Sequence, residues 1–335
     1  MDDDPPPHSV IDLLFGDASL FLTLMCNNVR FHITVCAADL SPSKRAVDDD
    51  LGKQFIEICQ NVDEDPDILF DWVILPCISF IKSTARPQSR CALVLEEYYA
   101  PKTYFLRLHN VAGTLSAQSY AGDRDVTRYL EPRIEASDLS MDRGLLEGIT
   151  LVDATELYIN GGSNVSDSMF SSVPRAVSSE KFMDRLFFKA ATDPVSFNRE
   201  LNAYLTLGTG NLCKDCRLPK LLALVAWSDR SSFMGFLIEY IAHEGNLREC
   251  ARSSSPAERK KWMRQLEASV KNLHNVGLTW GDVKPDNVLI DDKGDARVID
   301  FGGGYSEDWV DPSISETEDG DWQGISRIRA FLGLT

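Results

Sequence analysis

The sequence predicts an α+β protein with more than one domain, and three observations carry that expectation. Short apolar runs of strand length alternate with amphipathic helical stretches along the chain. The 335 residues exceed the roughly 100–200 that one domain usually holds. Hydrophobic residues make up 44% and charged residues 25%, the balance of an ordinary globular chain, which excludes wholesale disorder, collagen and low-complexity fibre.

Residues 1–10 hold three Asp and three Pro, too little apolar surface to offset the entropy of ordering, and are expected to form a disordered tail. Residues 19–35 are rich in Phe, Leu, Val, Ile and Thr around Asn27-Asn28, which predicts a β-hairpin. Helices are expected over 46–61 and 68–84, and strands over 91–96 and 103–108 with Ala100-Pro101-Lys102 turning between them. Residues 11–150 thus read as one α+β domain that carries no chemical motif. A Gly/Ser/Asn-rich stretch at 160–172 reads as a linker or a loop within a sheet.

The second half is patterned more sharply. A strand is expected at 185–190, then a helix at 194–207 with Asp193 as N-cap and Pro194 at its first position. Two strands at 221–227 and 233–241 follow, joined by Ser228-Asp229-Arg230-Ser231. Ser255-Pro256 opens a helix reaching about Asn275, with Leu266, Val270 and Leu273 on one face. Short strands at 287–290 and 296–299 flank Asp292-Lys293-Gly294, and a closing helix is expected over 321–332.

Composition narrows the function. Lys plus Arg is 34 and Asp plus Glu is 51, a formal net charge of −17. Such a surface repels phosphate backbones and anionic lipid, so neither nucleic acid nor membrane is an expected partner. The most apolar stretches, 20–26, 68–81 and 218–227, are short or interrupted, below the roughly 20 residues that span a bilayer. Eight cysteines in a chain of this length are too few for a disulfide scaffold, and the acidic, Pro-rich start is unlike a signal peptide. An intracellular protein, cytoplasmic or nuclear, with reduced thiols is expected. Cys213-Lys-Asp-Cys216 has zinc-ligand spacing but no second pair nearby, so ordinary thiols are expected there. The acidic runs at 48–50 and 63–67 read as solvated loops.

The most specific stretch is 273–290, Leu-His-Asn-Val-Gly-Leu-Thr-Trp-Gly-Asp-Val-Lys-Pro-Asp-Asn-Val-Leu-Ile, followed by Val-Ile-Asp-Phe-Gly at 298–302. It resembles the catalytic loop and metal loop of the protein kinases, with their D-x-K-x-x-N and D-F-G motifs. The resemblance covers about 173–332 and implies a bilobal fold, with an N-lobe over 151–241 and a short C-lobe over 242–335. It also implies that ATP and Mg2+ are the cofactors.

Phosphoryl transfer asks a protein mainly for positioning and charge neutralisation. The resemblance therefore implies that Asp282 accepts the proton of an attacking hydroxyl and that Lys284 stabilises the γ-phosphate. Asn287 and Asp300 would hold magnesium through hard oxygen ligands. It further implies that Lys189 grips the nucleotide phosphates and is held by Glu200 on the following helix. Residues 235–241 resemble the hinge strand, with Ile238 at the gatekeeper position and the base edge read by the backbone of Glu239 and Ile241.

Departures from the family accompany these matches. Trp280-Gly281-Asp282 stands where H-R-D is expected, so control through an activation-loop phosphate is not expected. Gly281 is also similar to the aminoglycoside and choline phosphotransferases, whereas Lys284-Pro285 is more like the Ser/Thr kinases. Gly161-Gly162 is the only candidate for a glycine-rich loop, and A-P-E is missing. The short C-lobe resembles the RIO-type kinases. Asp321 is expected to bond the catalytic-loop backbone, or else to serve its own helix dipole. The expected partners are a nucleotide and a protein acceptor. The expected function is transfer of the γ-phosphate to protein Ser/Thr, with a small-molecule kinase and a nucleotide-binding pseudokinase scaffold as alternatives.

Overall fold

The computed structural model describes residues 6–40, 51–61, 65–86, 93–140, 146, 148–159, 176–208 and 217–334. The stretches 160–172 and 48–50, Cys213 and Cys216, and Asp63 and Glu64 of the acidic run lie outside the described residues; the rest of that run, expected as loop, starts a helix, with Asp65 as its cap and Asp67 in its first turn. Contacts divide the chain into two units, one containing Met1–Glu131 and the other Pro132–Ile159 and Arg175–Thr335.

The first unit is a five-stranded sheet with helices in its one crossover. Strands β1 (Ser9–Gly16), β2 (Ser19–Cys26) and β3 (Val29–Cys36) form a meander. Asn27 and Asn28 turn the second hairpin with φ of 46° and 61°, the left-handed pair that a two-residue hairpin turn needs. Helices α1 (Ala37–Leu40), α2 (Leu51–Gln60), α3 (Pro66–Ile74), α4 (Ile78–Thr84) and α5 (Leu95–Tyr99) follow. The chain returns as β4 (Lys102–Val111), parallel to β3, and closes with β5 (Thr114–Tyr120). Leu20, Leu22 and Leu24 alternate onto the same face as Phe31, Ile33 and Val35, and that face packs on Leu69, Phe70, Val73 and Ile81 of the helices. Burial pushes the thiol of Cys77 up to about 12.

Three expectations for this unit are corrected. Ser9 and Val10 belong to β1, and Val10 is buried, so the last two residues of the expected tail are strand. The helix expected over 68–84 is broken at Leu75–Cys77, because Pro76 has no N–H to continue the ladder. Residues 95–99, expected partly as strand, are helical: Leu95 and Tyr99, four residues apart, bury one face behind an acidic first turn.

The second unit opens with β6 (Ile134–Glu135), β7 (Thr150–Asp153), β8 (Tyr158–Ile159), β9 (Ala176–Ser179) and β10 (Phe182–Ala190). Helix α6 (Pro194–Gly208), β11 (Leu221–Ala226) and β12 (Ser232–Glu239) follow. Their sheet runs β7-β11-β12-β10-β9-β8, with β6 on the end of β12. This moves the expected domain boundary from 150 to Glu131/Pro132, because β6 and β7 draw their hydrogen bonds from β12 and β11. The chain then builds β13 (His243–Asn246), α7 (Leu247–Cys250), α8 (Pro256–Asn275), β14 (Val288–Asp291), β15 (Ala296–Val298) and α9 (Glu318–Phe331). β13, β14 and β15 form a small antiparallel sheet.

Helix α8 starts at a capping box. Ser255 Oγ accepts from the Glu258 N–H at 3.3 Å, and the Glu258 carboxylate accepts from the Ser255 N–H at 2.7 Å. Trp262, Met263, Leu266, Val270 and Leu273 point inward and share one core with Phe197, Leu201 and Phe236 of the sheet side. The β14–β15 turn is tied to this helix: Trp262 Nε1 donates to the Gly294 carbonyl at 3.0 Å, and Gln265 Nε2 donates to Asp295 Oδ1 at 2.8 Å.

Helix α9 is anchored by Asp321, which is 1% exposed. Its Oδ2 accepts from the Trp280 N–H and its Oδ1 from the Gly281 N–H, each at 2.8 Å, while His274 Nε2 lies 2.8 Å from Oδ2. Asp321 therefore bonds the backbone ahead of Asp282 from a neighbouring helix. Replacing it with Ala would leave two buried N–H groups unpaired, at a cost of about 3 kcal/mol. Urea unfolding of Asp321→Ala should show that loss; wild-type stability would contradict it.

Asp295 is held well below the usual carboxylate range, first by Lys261, then by Gln265 and Arg217, against the opposing effect of burial. A depressed carboxyl contributes stability that is fully present above its unfolded pKa of about 4 and is lost as pH falls from there through its lower folded-state value. The wild-type melting temperature should therefore drop below about pH 4. Asp295→Asn should melt lower at pH 6 and show a shallower acid decline; identical pH profiles would refute this.

Candidate active site

Lys189 sits near the end of β10, whose apolar side chains bury Leu186 and Phe188. Its Nζ lies 2.5 Å from Glu200 Oε2 and 2.7 Å from Asp300 Oδ1. Glu200 projects from α6 and is 3% exposed. Asp193 caps this helix, its Oδ1 accepting from the Ser196 N–H at 2.9 Å. Burial alone would lower the Lys189 pKa, but the two carboxylates outweigh it and raise it. Burial also pushes Asp300 up, yet Lys189 holds it below its ordinary value, with help from Lys284. For Glu200 burial prevails over Lys189, and its pKa is raised.

Asp300 has φ of 66°, a left-handed conformation that aspartate adopts more readily than most residues with a Cβ and that contacts here hold in place. The ion pair to Lys189 is one such constraint. The next residue supplies another: Phe301 is buried and packs edge-on against Tyr204 of α6.

The stretch after α8 forms a second cluster. Lys284 Nζ donates to Asp282 Oδ2 at 2.5 Å, and Asn287 Nδ2 donates to the Asp282 carbonyl and to Oδ2, both at 3.0 Å. Asn287 closes the short helical turn Pro285–Asn287 rather than opening a strand. Ser306 completes the cluster: its Oγ donates to Asp282 Oδ1 and accepts from Lys284 Nζ, each at 3.3 Å.

At the strand expected as a hinge, Ile238 is buried and faces Phe187 across the β10–β12 register. Glu239 ends β12, its N–H donating to the Lys220 carbonyl at 2.9 Å, so Ile241 lies just past the strand. Ile241 is buried and its carbonyl lies 2.7 Å from His243 Nδ1.

The structure thus pairs Lys189 with Glu200 and Asp300, and Asp282 with Lys284 and Asn287. The Ile299 N–H donates to the Asn287 carbonyl at 3.1 Å, which joins the backbones of the two groups. Gly161-Gly162 falls in the connection from β8 to β9, neighbouring antiparallel strands, but that connection lies outside the described residues. Among the described residues no three His, Cys, Asp or Glu side chains gather as a metal cage. The donors that are present, the Asp300 carboxylate and the Asn287 amide, are hard oxygens. They fit a magnesium ion that takes most of its ligands from phosphate and water.

Two residues escaped the sequence reading. Ser306 carries no motif, and its role follows only from its position beside Asp282. Arg199 lies outside the matched motifs, and its Nη1 lies 2.5 Å from Glu316 Oε1.

Parts of the chain are similar to known protein kinases. The family model described as Protein kinase domain matches residues 209–314. The bovine phosphorylase b kinase gamma catalytic chain, liver/testis isoform, is 34% identical over 87 residues, which are 25% of this chain and 21% of that one. CBL-interacting protein kinase 24 of Oryza sativa subsp. japonica is 37% identical over 68 residues, 20% of this chain and 14% of the relative. The testis-specific serine/threonine-protein kinase 5 of Mus musculus is 37% identical over 68 residues, 20% of this chain and 18% of that protein. The chain therefore spans only 14–21% of the length of these relatives. The solved Cydia pomonella granulovirus kinase PK-1 aligns with 46% of this chain and 62% of its own at 19% identity and a TM-score of 0.38. Over residues 209–314, which carry the D-x-K-x-x-N and D-F-G motifs, the second unit is similar to a protein kinase domain.

Proposed function

We propose that the second unit is an ATP- and magnesium-dependent phosphotransferase that moves the γ-phosphate of ATP to a hydroxyl, that of Ser or Thr in a protein. The observation that carries this reading is Lys189 paired to both Glu200 and Asp300 beside the Asp282–Lys284–Asn287 cluster.

Each residue then has a role set by its chemistry. Lys189, kept protonated by two carboxylates, supplies a fixed positive charge for the nucleotide phosphates. Asn287 and Asp300 would hold the magnesium, which when bound would neutralise phosphate charge. The acceptor oxygen forms a bond to the γ-phosphorus as the bond to the β-phosphate oxygen breaks and ADP leaves. Asp282 takes the acceptor's proton, and Lys284 faces the transferring group. Ser306 shows that an alkyl hydroxyl can approach Asp282 Oδ1 and Lys284 Nζ together, which supports a hydroxyl acceptor. The base edge would be read at Glu239 and Ile241, with Ile238 behind it.

A second reading, transfer to a small alcohol or amino sugar, is favoured by Gly281, the residue before Asp282 that is similar to the aminoglycoside and choline phosphotransferases.

Incubation with labelled ATP, magnesium and both protein and small-alcohol acceptors tests these readings. Asp282→Ala and Lys189→Ala should each lower transfer at least ~100-fold. Equal label in all three proteins would refute the enzyme reading, and label on small alcohols alone would select the second reading. A melting shift with MgATP but no turnover would mark a nucleotide-binding scaffold.

Ser306→Ala removes one hydrogen bond to Asp282, worth about 1 kcal/mol, and should lower kcat roughly fivefold while the KM for ATP is unchanged. A change in KM alone would place Ser306 outside the acceptor side of the site.

A further inference from the structure

Position 281, just before Asp282, is a glycine with φ of 91°, and a Cβ built there would lie 2.4 Å from Arg199 Nη2. Position 303 is a glycine with φ of 86°, and its Cβ would lie 2.3 Å from Arg199 Nη1 and 2.6 Å from Glu316 Oε1. Both positions therefore leave room for one guanidinium, which reaches them from α6. That guanidinium is partnered. Nη1 lies 2.5 Å from Glu316 Oε1, and Nη2 donates to Thr279 Oγ1 at 3.4 Å. Glu316 in turn accepts from the Gly304 N–H at 2.9 Å, and its carbonyl accepts from Thr279 Oγ1 at 3.4 Å. Glu316 has φ of 60°, outside the conformations a glutamate prefers, so its surroundings hold it there.

Arg199 immediately precedes Glu200. One turn of α6 thus holds Lys189 through Glu200 and touches the segments on both sides of the site through Arg199. A side chain at 281 would compete for this space, so the glycine in place of the expected arginine has a structural reason. The positive charge missing from position 281 is supplied from the helix.

We propose that Arg199 is a positioning residue. With Glu316 as its built-in carboxylate partner, it joins α6 to Thr279–Gly281 and to Gly303–Gly304. It thereby holds the site in its lysine-paired arrangement without a phosphate added to residues 303–317. This rests on the phosphotransferase reading for its catalytic consequence, but not for its structural one. The competing view is a half-exposed ion pair that contributes almost nothing.

The test uses the full chain, treated with phosphatase and shown by mass spectrometry to carry no phosphate. Arg199→Gln and Glu316→Gln should each lower kcat about tenfold. The double variant should be no worse than the poorer single one, because both remove the same contact. Arg199→Lys keeps a charge but loses the fork, and should fall between wild type and Arg199→Gln. Arg327→Gln, which removes an exposed ion pair to Asp311, should match wild type. Amide exchange over 302–304 should speed up at least tenfold in Arg199→Gln and in Arg199→Lys. Activity that is lost on phosphatase treatment, or full activity in the variants, would overturn the proposal. So would unchanged exchange over 302–304, whether or not the protein transfers phosphate. A wild-type chain without transfer defeats the enzyme reading alone, and the exchange measurement then decides the fate of Arg199.

Discussion

A protonated lysine between two carboxylates is the interaction on which the second unit's site depends. Lys189 comes from a strand, Glu200 from the next helix, and Asp300 from a loop more than a hundred positions along the chain. Glu200 is almost wholly buried, and a buried charge without a partner is costly, so the three segments are energetically bound to one another. Asp300 accepts a left-handed backbone in order to reach the lysine, and Phe301 follows it into the aromatic packing around Tyr204 and Phe236. Charge and packing therefore place the same loop.

The rest of the unit holds the second cluster in comparable ways. Asp321 bonds the backbone just ahead of Asp282 from a helix that follows it in sequence. Trp280 is fully buried, and its ring N–H donates to the Ile299 carbonyl at 3.0 Å, which ties the Asp282 loop to the start of the Asp300 loop. Asp282 itself is engaged by Lys284, Asn287 and Ser306 at once. A carboxylate held by this many donors is fixed in direction, which favours a reaction that depends on placement more than on covalent chemistry. The first unit has its own hydrophobic core and no comparable gathering of paired carboxylates among its described residues.

Much of this was legible in order of locality. The helix start at Ser255-Pro256, the N-cap at Asp193 and the Asn27-Asn28 turn all depend on residues within a few positions of one another, and each formed where expected. The break at Pro76 was equally local but was overlooked inside a run of apolar residues. The domain boundary was misplaced because β6 and β7 are short, and their membership is decided by partners some 70 to 100 residues away. Ser306 and Arg199 were missed for a related reason: neither lies in a motif, and only the fold brings them to Asp282 and Glu316.

The sequence by itself determined which residue types stood at fixed offsets in the loop after α8, because spacing along a short turn constrains where its side chains can point. It also determined the helices and hairpins that carry them, through caps, turns and apolar period. Only the tertiary structure decided which carboxylates meet Lys189 and which helix supplies the guanidinium beside Gly281. Pairing between charges depends on distance in space, and chain separation says nothing about that until the core has closed.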